Sequence, residues 1–356
     1  MTGEFDAGAR PAGEDRTPGS LLKALGWTTD WEELADGQVL SSAEPARVLR
    51  HDGRAVLVGR AEGTIQIHLK ATTPPVAVGD WVLTDGEAVH RVLPRRSLLH
   101  RRDPSTGDEQ LIASNVDVVG IVSGLDRPVN PGRIERFVTL AWDAGADPLI
   151  VLTKFDLVAE RSEFEAIAAQ AAPGVDIVCV SAVDGSGIDG LRAMLSGKTV
   201  AFVGESGAGK SSLLNALAGR EIATTGTVRA GDHKGRHTTS SRQLHVLPGG
   251  CCVIDTPGLR EVGLWTDSHT VDDAFDDIAE LAQGCRFRDC GHSAEPGCAV
   301  KEAVQNGTLD PRRLTNWAQL RKEAASAELR SDSFARHQAD RRMGKIIRQA
   351  QRHPKP

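Results

Sequence analysis

The residues with the most definite chemistry are Gly204-Glu205-Ser206-Gly207-Ala208-Gly209-Lys210-Ser211, a full G-x-x-x-x-G-K-S loop behind the apolar run Thr199-Val200-Ala201-Phe202-Val203. Glycines let backbone N–H groups turn inward around phosphate oxygens, Lys210 can reach the terminal phosphates, and the Ser211 hydroxyl can ligate Mg²⁺. Ser212 continues into Leu213-Leu214-Asn215-Ala216-Leu217, an amphipathic helix that points its positive end at the anion. With a strand before it and a helix after it, the loop reads as a nucleotide site rather than a flexible glycine turn. Two later stretches carry related chemistry. Gly235-Arg236-His237-Thr238-Thr239-Ser240 is a polar loop in which Thr238 or Thr239 can close on Mg²⁺. In Asp255-Thr256-Pro257-Gly258, Asp255 can hold the Mg²⁺ shell and the Gly258 amide can meet a γ-phosphate. A separate cluster, Cys285-x₄-Cys290-x-His292-x₅-Cys298, offers three thiolates and an imidazole among turns at Gly284, Gly291 and Gly297. It matches a closed structural Zn²⁺ site, with no position left open for water.

The elements that must position these groups alternate between strand and helix. Strands are expected over 116–122, 148–153 and 175–180, and helices over 133–143, 162–171 and 188–195, leading to the phosphate loop. That alternation predicts a doubly wound parallel sheet, whose ligands bind at the carboxyl ends of the strands. Two of those ends carry Thr153-Lys154-Phe155-Asp156 and Ser181-Ala182. They resemble the guanine-reading pair of a GTPase, written N-K-x-D and S-A. The resemblance implies that Asp156 accepts from the guanine ring N–H and amino groups, Lys154 lies along the base and phosphate loop, and the Ser181–Ala182 backbone meets the guanine carbonyl. Thr153 in place of Asn loses an amide arm, so a looser tether of this loop is expected. In ordinary GTPases the phosphate loop comes first. Here the guanine motifs precede it, so the domain is circularly permuted.

The rest of the chain bounds the reading. Residues 1–26, rich in Gly, Ala, Pro, Asp and Arg, are expected to form a disordered tail. Residues 27–112 hold about five short β-rich runs between Asp-Gly and Gly-Asp turns, which suggests an OB-like barrel. The basic segment Arg91, Arg95, Arg96, His100, Arg101, Arg102 could track a phosphate backbone or be a solvated loop. Residues 113–268 form the permuted domain. Residues 269–356 form a zinc-binding helical domain, starting with an acidic helix over 271–282 and ending in helices over 311–329 and 333–352. From 311 to 356 there are twelve basic and four acidic side chains, a local +8 on a chain whose formal charge is −6. A basic helical end on an acidic protein suggests RNA phosphates as a partner. No apolar run approaches the roughly 18 residues of a membrane span, and residues 1–26 lack a secretory apolar core, so a cytoplasmic, non-membrane protein is expected.

Taken together, the barrel, the permuted motif order and the Cys-Cys-His-Cys spacing resemble the ribosome small subunit-dependent GTPase A family (RsgA, also called YjeQ) over about residues 30–350. The resemblance implies GTP hydrolysis to GDP stimulated by the small ribosomal subunit, a role in late maturation of that subunit, and rRNA contacts from the barrel and zinc domains, in a monomer. It carries over to Thr153, Lys154, Asp156, Ser181, Ala182, Gly204 through Ser212, Thr238, Thr239, Asp255, Gly258 and the four zinc ligands, with Thr153 and Ser240 as departures. Leu259 stands where Ras-like enzymes place the glutamine that orients water, so slow basal turnover is expected, with His237 as the candidate within this chain. Two other readings stay open: an RNA-binding assembly factor that uses GTP as a clamp with negligible turnover, and a P-loop ATPase or small-molecule kinase.

Overall fold

The computed structural model describes residues 20–36, 43–102, 109–223, 242–255 and 268–326. It opens with two short helices, α1 (Ser20–Ala24) and α2 (Thr29–Asp36). The expected disordered tail is therefore corrected at its end: residues 20–26 are ordered, because Leu22 and Leu25, spaced three apart, bury one face. Gly59 makes room for this segment, since a Cβ there would stand 2.6 Å from Leu25 Cδ1. Trp27 and Trp31 pack on Trp81 with ring centroids 4.7 and 6.0 Å away. The Gly, Ala and Pro content of the window hid a five-residue amphipathic piece.

The five expected strands follow as β1 (Glu44–His51), β2 (Ala55–Arg60), β3 (Gly63–His68), β4 (Trp81–Thr84) and β5 (Val89–Val92). They pair antiparallel in the order β3-β2-β1-β4-β5 around Ala46, Val48, Val56, Val58, Ile67 and Val82. A hairpin then appears that the periodicity did not announce, β6 (Leu98–Arg102) with β7 (Glu109–Ser114). The expected boundary at 112 falls inside β7. The basic segment is mostly structural. Arg95 forks onto Asp80 at 2.7 and 2.8 Å, Arg96 pairs with Asp30 and covers the Trp31 ring, and Arg101 donates to Gln110.

The α/β part begins with β8 (Val118–Gly124), α3 (Pro131–Asp143), β9 (Asp147–Thr153), α4 (Ser162–Ala171), β10 (Ile177–Cys179), α5 (Ile188–Met194), β11 (Thr199–Gly204) and α6 (Lys210–Ala218). It ends with β12 (Gln243–Val246) and β13 (Cys252–Asp255). The order is β10-β9-β8-β11-β13-β12, parallel except for β12. Near-continuous apolar strands such as Val118-Val119-Gly120-Ile121-Val122 are what a sheet covered on both faces requires. Ile134, Phe137, Ala168 and Ala171 of α3 and α4 pack on one face, and Ile188, Leu191, Leu213 and Leu217 of α5 and α6 on the other. Beyond β12 the sheet continues into the barrel through Arg50 of β1 opposite Gln243, so eleven of the described strands form one sheet. Arg47 of β1 is buried at this junction and donates to the carbonyls of Leu25, Gly79 and Asn115 and to Thr199 Oγ1.

The acidic helix expected over 271–282 is two helices, α7 (Ser268–Ala274) and α8 (Asp276–Ala282). Phe275 breaks them: it leaves helical geometry (φ −125°, ψ 48°) to bury its ring fully, beneath the Arg313 guanidinium. After the cysteine cluster come α9 (Ala299–Gln305) and a helix over residues 311–326, α10. Arg313 of α10 ties this region to the α/β sheet. It forks onto Asp277 of α8 at 2.7 and 2.8 Å and donates to Glu135 of α3 and the Ala171 carbonyl of α4, both at 3.1 Å. The expected helix over 333–352 lies outside the described residues.

Candidate nucleotide site and metal centre

The phosphate loop joins β11 to α6. Gly204, Gly207 and Gly209 have φ of 143°, 78° and 93°, and a Cβ on Gly204 would stand 2.2 Å from the Val122 carbonyl oxygen, so this position requires glycine. Lys210 opens α6 and its ammonium donates to the carbonyls of Gly204 and Glu205 at 2.6 and 2.5 Å, folded along its own loop. Ser211 and Ser212 occupy the first turn of α6, where unpaired N–H groups and the helix dipole favour an anion.

The base-reading loops assemble against this turn. Thr153, 4 % exposed at the end of β9, donates its hydroxyl to the Ala208 carbonyl of the phosphate loop and lies 3.4 Å from the Ser123 carbonyl. Thr153 thus gives this loop one hydroxyl contact to the phosphate loop, where the Asn it replaces would offer an amide with two arms. Lys154 takes a left-handed backbone (φ 60°), which lays its stem over Gly209, with Cε 4.0 Å from a Cβ built there, and brings Nζ to 2.8 Å from Asp126. Asp156 follows in a 3₁₀ turn (Phe155–Leu157), and its carboxylate accepts from Ser181 Oγ at 2.6 Å. Ser181 Oγ in turn accepts from the Val183 and Asp184 amides at 3.1 and 3.3 Å, so the Ser181–Ala182 turn and Asp156 are one unit. Asp255 ends β13, one parallel strand over from β11. Of the expected switch residues, His237, Thr238, Thr239 and Gly258 lie outside the described residues.

Sequence reasoning missed Asp126, Arg127 and Arg133. They follow β8, at the same edge as the other motifs. Hydrogen bonds from Arg127 and then Lys154 pull the Asp126 carboxyl down to about 2. Glu205, second in the phosphate loop, pairs with Arg133 and lies 3.4 Å from Arg127. The signal was present: Asp126-Arg127-Pro128 directly follows an apolar strand, as the recognised motifs do.

At the opposite end of the chain, Cys285, Cys290, His292 and Cys298 bring their ligand atoms within 4.8 Å of one another. Cys285 and Cys298 sulfurs are 3.8 Å apart, and each lies 3.6 and 3.4 Å respectively from His292 Nδ1. A tetrahedral ion with metal–sulfur bonds of about 2.3 Å demands sulfur–sulfur edges of about 3.8 Å, so the donor set and its spacing can hold a metal ion. His292 is held by a left-handed backbone (φ 55°) and by Trp317 of α10, whose ring centroid is 5.2 Å away. Trp317 itself donates to Asp272 of α7 at 3.0 Å. Cys251 and Cys252 are buried in the core, while Cys179 is half-buried and donates to Glu165.

A phosphate loop and a base-reading pair at the carboxyl edge of one parallel sheet, with the base-reading strands earlier in the chain, define a circularly permuted P-loop GTPase. The RsgA GTPase family model matches residues 92–265. The small ribosomal subunit biogenesis GTPase RsgA of Streptomyces coelicolor is 41% identical over 330 residues, covering 89% of this chain and 90% of that protein. The protein of the same name from Syntrophotalea carbinolica is 41% identical, covering 93% and 97%. Among solved structures, YjeQ from Thermotoga maritima is 28% identical with a TM-score of 0.60, covering 80% of this chain and 99% of that one. YloQ, described as a circularly permuted GTPase, shares the fold at 24% identity and a TM-score of 0.58. The chain belongs to the RsgA GTPase family. Among the described residues no helix is long and apolar enough to cross a membrane.

Proposed function

We propose that this chain hydrolyses GTP to GDP and phosphate in the biogenesis of the small ribosomal subunit, with that subunit and its rRNA as partners, in the cytoplasm and as a monomer. The observation that carries the nucleotide reading is the Thr153 hydroxyl on the Ala208 carbonyl, which fastens the guanine loop to the phosphate loop although the two lie 55 residues apart in reversed order. The name shared by the relatives supports the ribosomal role. In this reading Asp156, oriented by Ser181, selects guanine over adenine. Gly204 through Ser212 hold the phosphates, with Lys210 leaving the loop carbonyls for phosphate oxygens. Mg²⁺ held by Ser211 and Asp255 would neutralise charge on the β- and γ-phosphates. Thr238, Thr239 and the Gly258 amide close on the γ-phosphate, and His237 positions water where Leu259 cannot. Cys285, Cys290, His292 and Cys298 would hold one structural Zn²⁺, which would cross-link their loop beside α9 and α10. The barrel, about 27–112, and the zinc domain, from about 269, flank the GTPase domain and meet rRNA.

The test is GTP turnover by the full chain with purified small subunits, large subunits or neither. Small subunits alone should raise the rate, and His237→Ala should lower that stimulated rate while sparing GTP affinity. Equal rates in all three arms would overturn the subunit-dependent reading. Displacement of bound GTP by equimolar ATP would overturn guanine selection.

A further inference from the structure

Directly after β8, two residues lean over the phosphate loop. Asp126 accepts from Lys154 at 2.8 Å and from Arg127 at 3.1 and 3.3 Å, so the carboxylate bridges the base-reading lysine and the arginine. Arg127 reaches on to Glu205 at 3.4 Å, and Arg133, from the first turns of α3, pairs with the same carboxylate. The guanidinium overhangs the middle of the loop: a Cβ built on Gly207 would stand 3.4 Å from Arg127 Nη2. Here Arg127, Arg133 and Lys154 face Asp126 and Glu205, three cations to two carboxylates, before Lys210 is added. The wall beside the loop is therefore net positive, and its arginine, forked onto Asp126, is 43 % exposed to an incoming anion.

We infer that Arg127 is a phosphate-binding residue of the GTP site, a second side-chain cation beside Lys210 that engages the α/β-phosphate portion common to GTP and GDP. The inference rests on the reading of Gly204–Ser211 as the GTP site. The loop backbone cradles the α/β-phosphates while the lysine reaches the β/γ-phosphates, so a cation over Gly207 is placed for the portion that GDP and GTP share. The resting contact it must give up, the 3.4 Å approach to Glu205, is long and solvent-facing, and Arg133 remains to neutralise Glu205. A planar guanidinium also matches the paired oxygens of a phosphate better than an ammonium does. Asp126 acts as its hinge, holding the base-reading Lys154 and the phosphate-reading Arg127 on one carboxylate.

The experiment is the affinity and dissociation rate of fluorescent GDP and GTP for the full chain, its Arg127→Ala, Arg127→Lys and Arg127→Glu variants, Glu205→Gln, and the double variant Glu205→Gln/Arg127→Ala. Removing one charge-assisted hydrogen bond predicts about tenfold weaker binding of both nucleotides in Arg127→Ala, mostly as faster release. Arg127→Glu should weaken binding further, and Arg127→Lys, which keeps the charge and the fold, less. Removing Arg127 should still cost about tenfold in the Glu205→Gln background. Wild-type affinity in Arg127→Ala and Arg127→Glu would overturn the inference, as would an effect that vanishes once Glu205 is gone, because Arg127 would then act only as a partner of Glu205. Failure of the unsubstituted chain to bind GDP, or undiminished binding by Lys210→Ala, would instead overturn the GTP-site reading itself.

Discussion

Replacing Arg313 by Met should loosen the region that carries the Cys₃His cluster from the GTPase sheet in a way that depends on pH. Arg313 is 7 % exposed and Glu135 5 %. The substitution keeps an unbranched aliphatic stem, removes the guanidinium over Phe275, and leaves Glu135 buried with only Asn316 as a side-chain partner. Breaking a buried pair from one side costs about 3–5 kcal/mol. A second limit comes from proton uptake, since the orphaned carboxylate can be neutralised instead. At about 1.36 kcal/mol per pH unit and an ordinary value near 4.3, that costs about 3.7 kcal/mol at pH 7 and about 1.6 kcal/mol at pH 5.5. Burial already pushes Glu135 up in the intact protein, with Arg313 and Asn316 holding it down. In the variant its folded value rises further above the unfolded one. The penalty is then absent below the unfolded value and grows as pH rises towards the folded value. Amide hydrogen exchange along α10, corrected for the intrinsic rate at each pH, reads the opening free energy of this region. Arg313→Met should lower it by about 3–4 kcal/mol at pH 7 and about 2 kcal/mol less than that at pH 5.5. Glu135→Gln/Arg313→Met should recover most of the loss, because Asp277 is 37 % exposed and can turn to water. Equal losses at the two pH values, or a double variant as weak as the single one, would refute the reasoning.

Asp156→Asn exchanges an acceptor pair for a mixed group and should move preference from GTP towards xanthosine triphosphate; unchanged competition between the two nucleotides would count against the guanine-reading role. Stripping metal with a chelator should open residues 285–298 to protease while the nucleotide domain stays protected, and metal analysis should find one Zn²⁺ per chain in protein never exposed to chelator. The Asp126 carboxyl should titrate at about 2 by carbon-13 NMR, and removal of Arg127 or Lys154 should raise it. Its depressed value means that its contribution to stability is complete above about 3.9 and fades as pH falls through about 2. Subunit affinity should fall steeply with salt if the basic chain end meets rRNA phosphates; an affinity indifferent to salt would point to a protein surface.

The parts of this protein most legible in its sequence are those where backbone geometry demands a residue type. Gly204, Gly207 and Gly209 are glycines because the turn is left-handed or crowded, and the three cysteines and His292 keep a spacing that a tight loop can close to within 4.8 Å. The alternating strands and helices of 116–195 were legible because sheets covered on both faces need continuous apolar strands. Tertiary partnerships were not. Nothing local to Arg47 says that it will be buried against Thr199, 152 residues away, and nothing local to Arg95 says that it will fork onto Asp80 rather than face RNA. Phe275 broke a helix whose own periodicity favoured continuation, because its ring had a fully buried place under Arg313. Thr153 was legible as a single-donor replacement for Asn, but nothing local to it says that its hydroxyl will land on the Ala208 carbonyl, 55 residues away.

The join between β1 and β12 has a consequence for anyone dividing this protein into pieces. Strand β12 would be the last in the GTPase sheet, and the barrel's first strand is what lies along its outer side. Arg242, just before β12, is fastened to the Leu111 carbonyl of the hairpin as well. A fragment beginning after the barrel would therefore lose the pairing at Gln243, the start of the β12 edge, and leave Cys252, which lies against the Ala24 carbonyl, stripped of its cover. Unpaired edges of that kind recruit other chains. The N-terminal barrel is thus a selvedge for the catalytic sheet, and the trimmed fragment should self-associate for a reason unrelated to nucleotide or RNA.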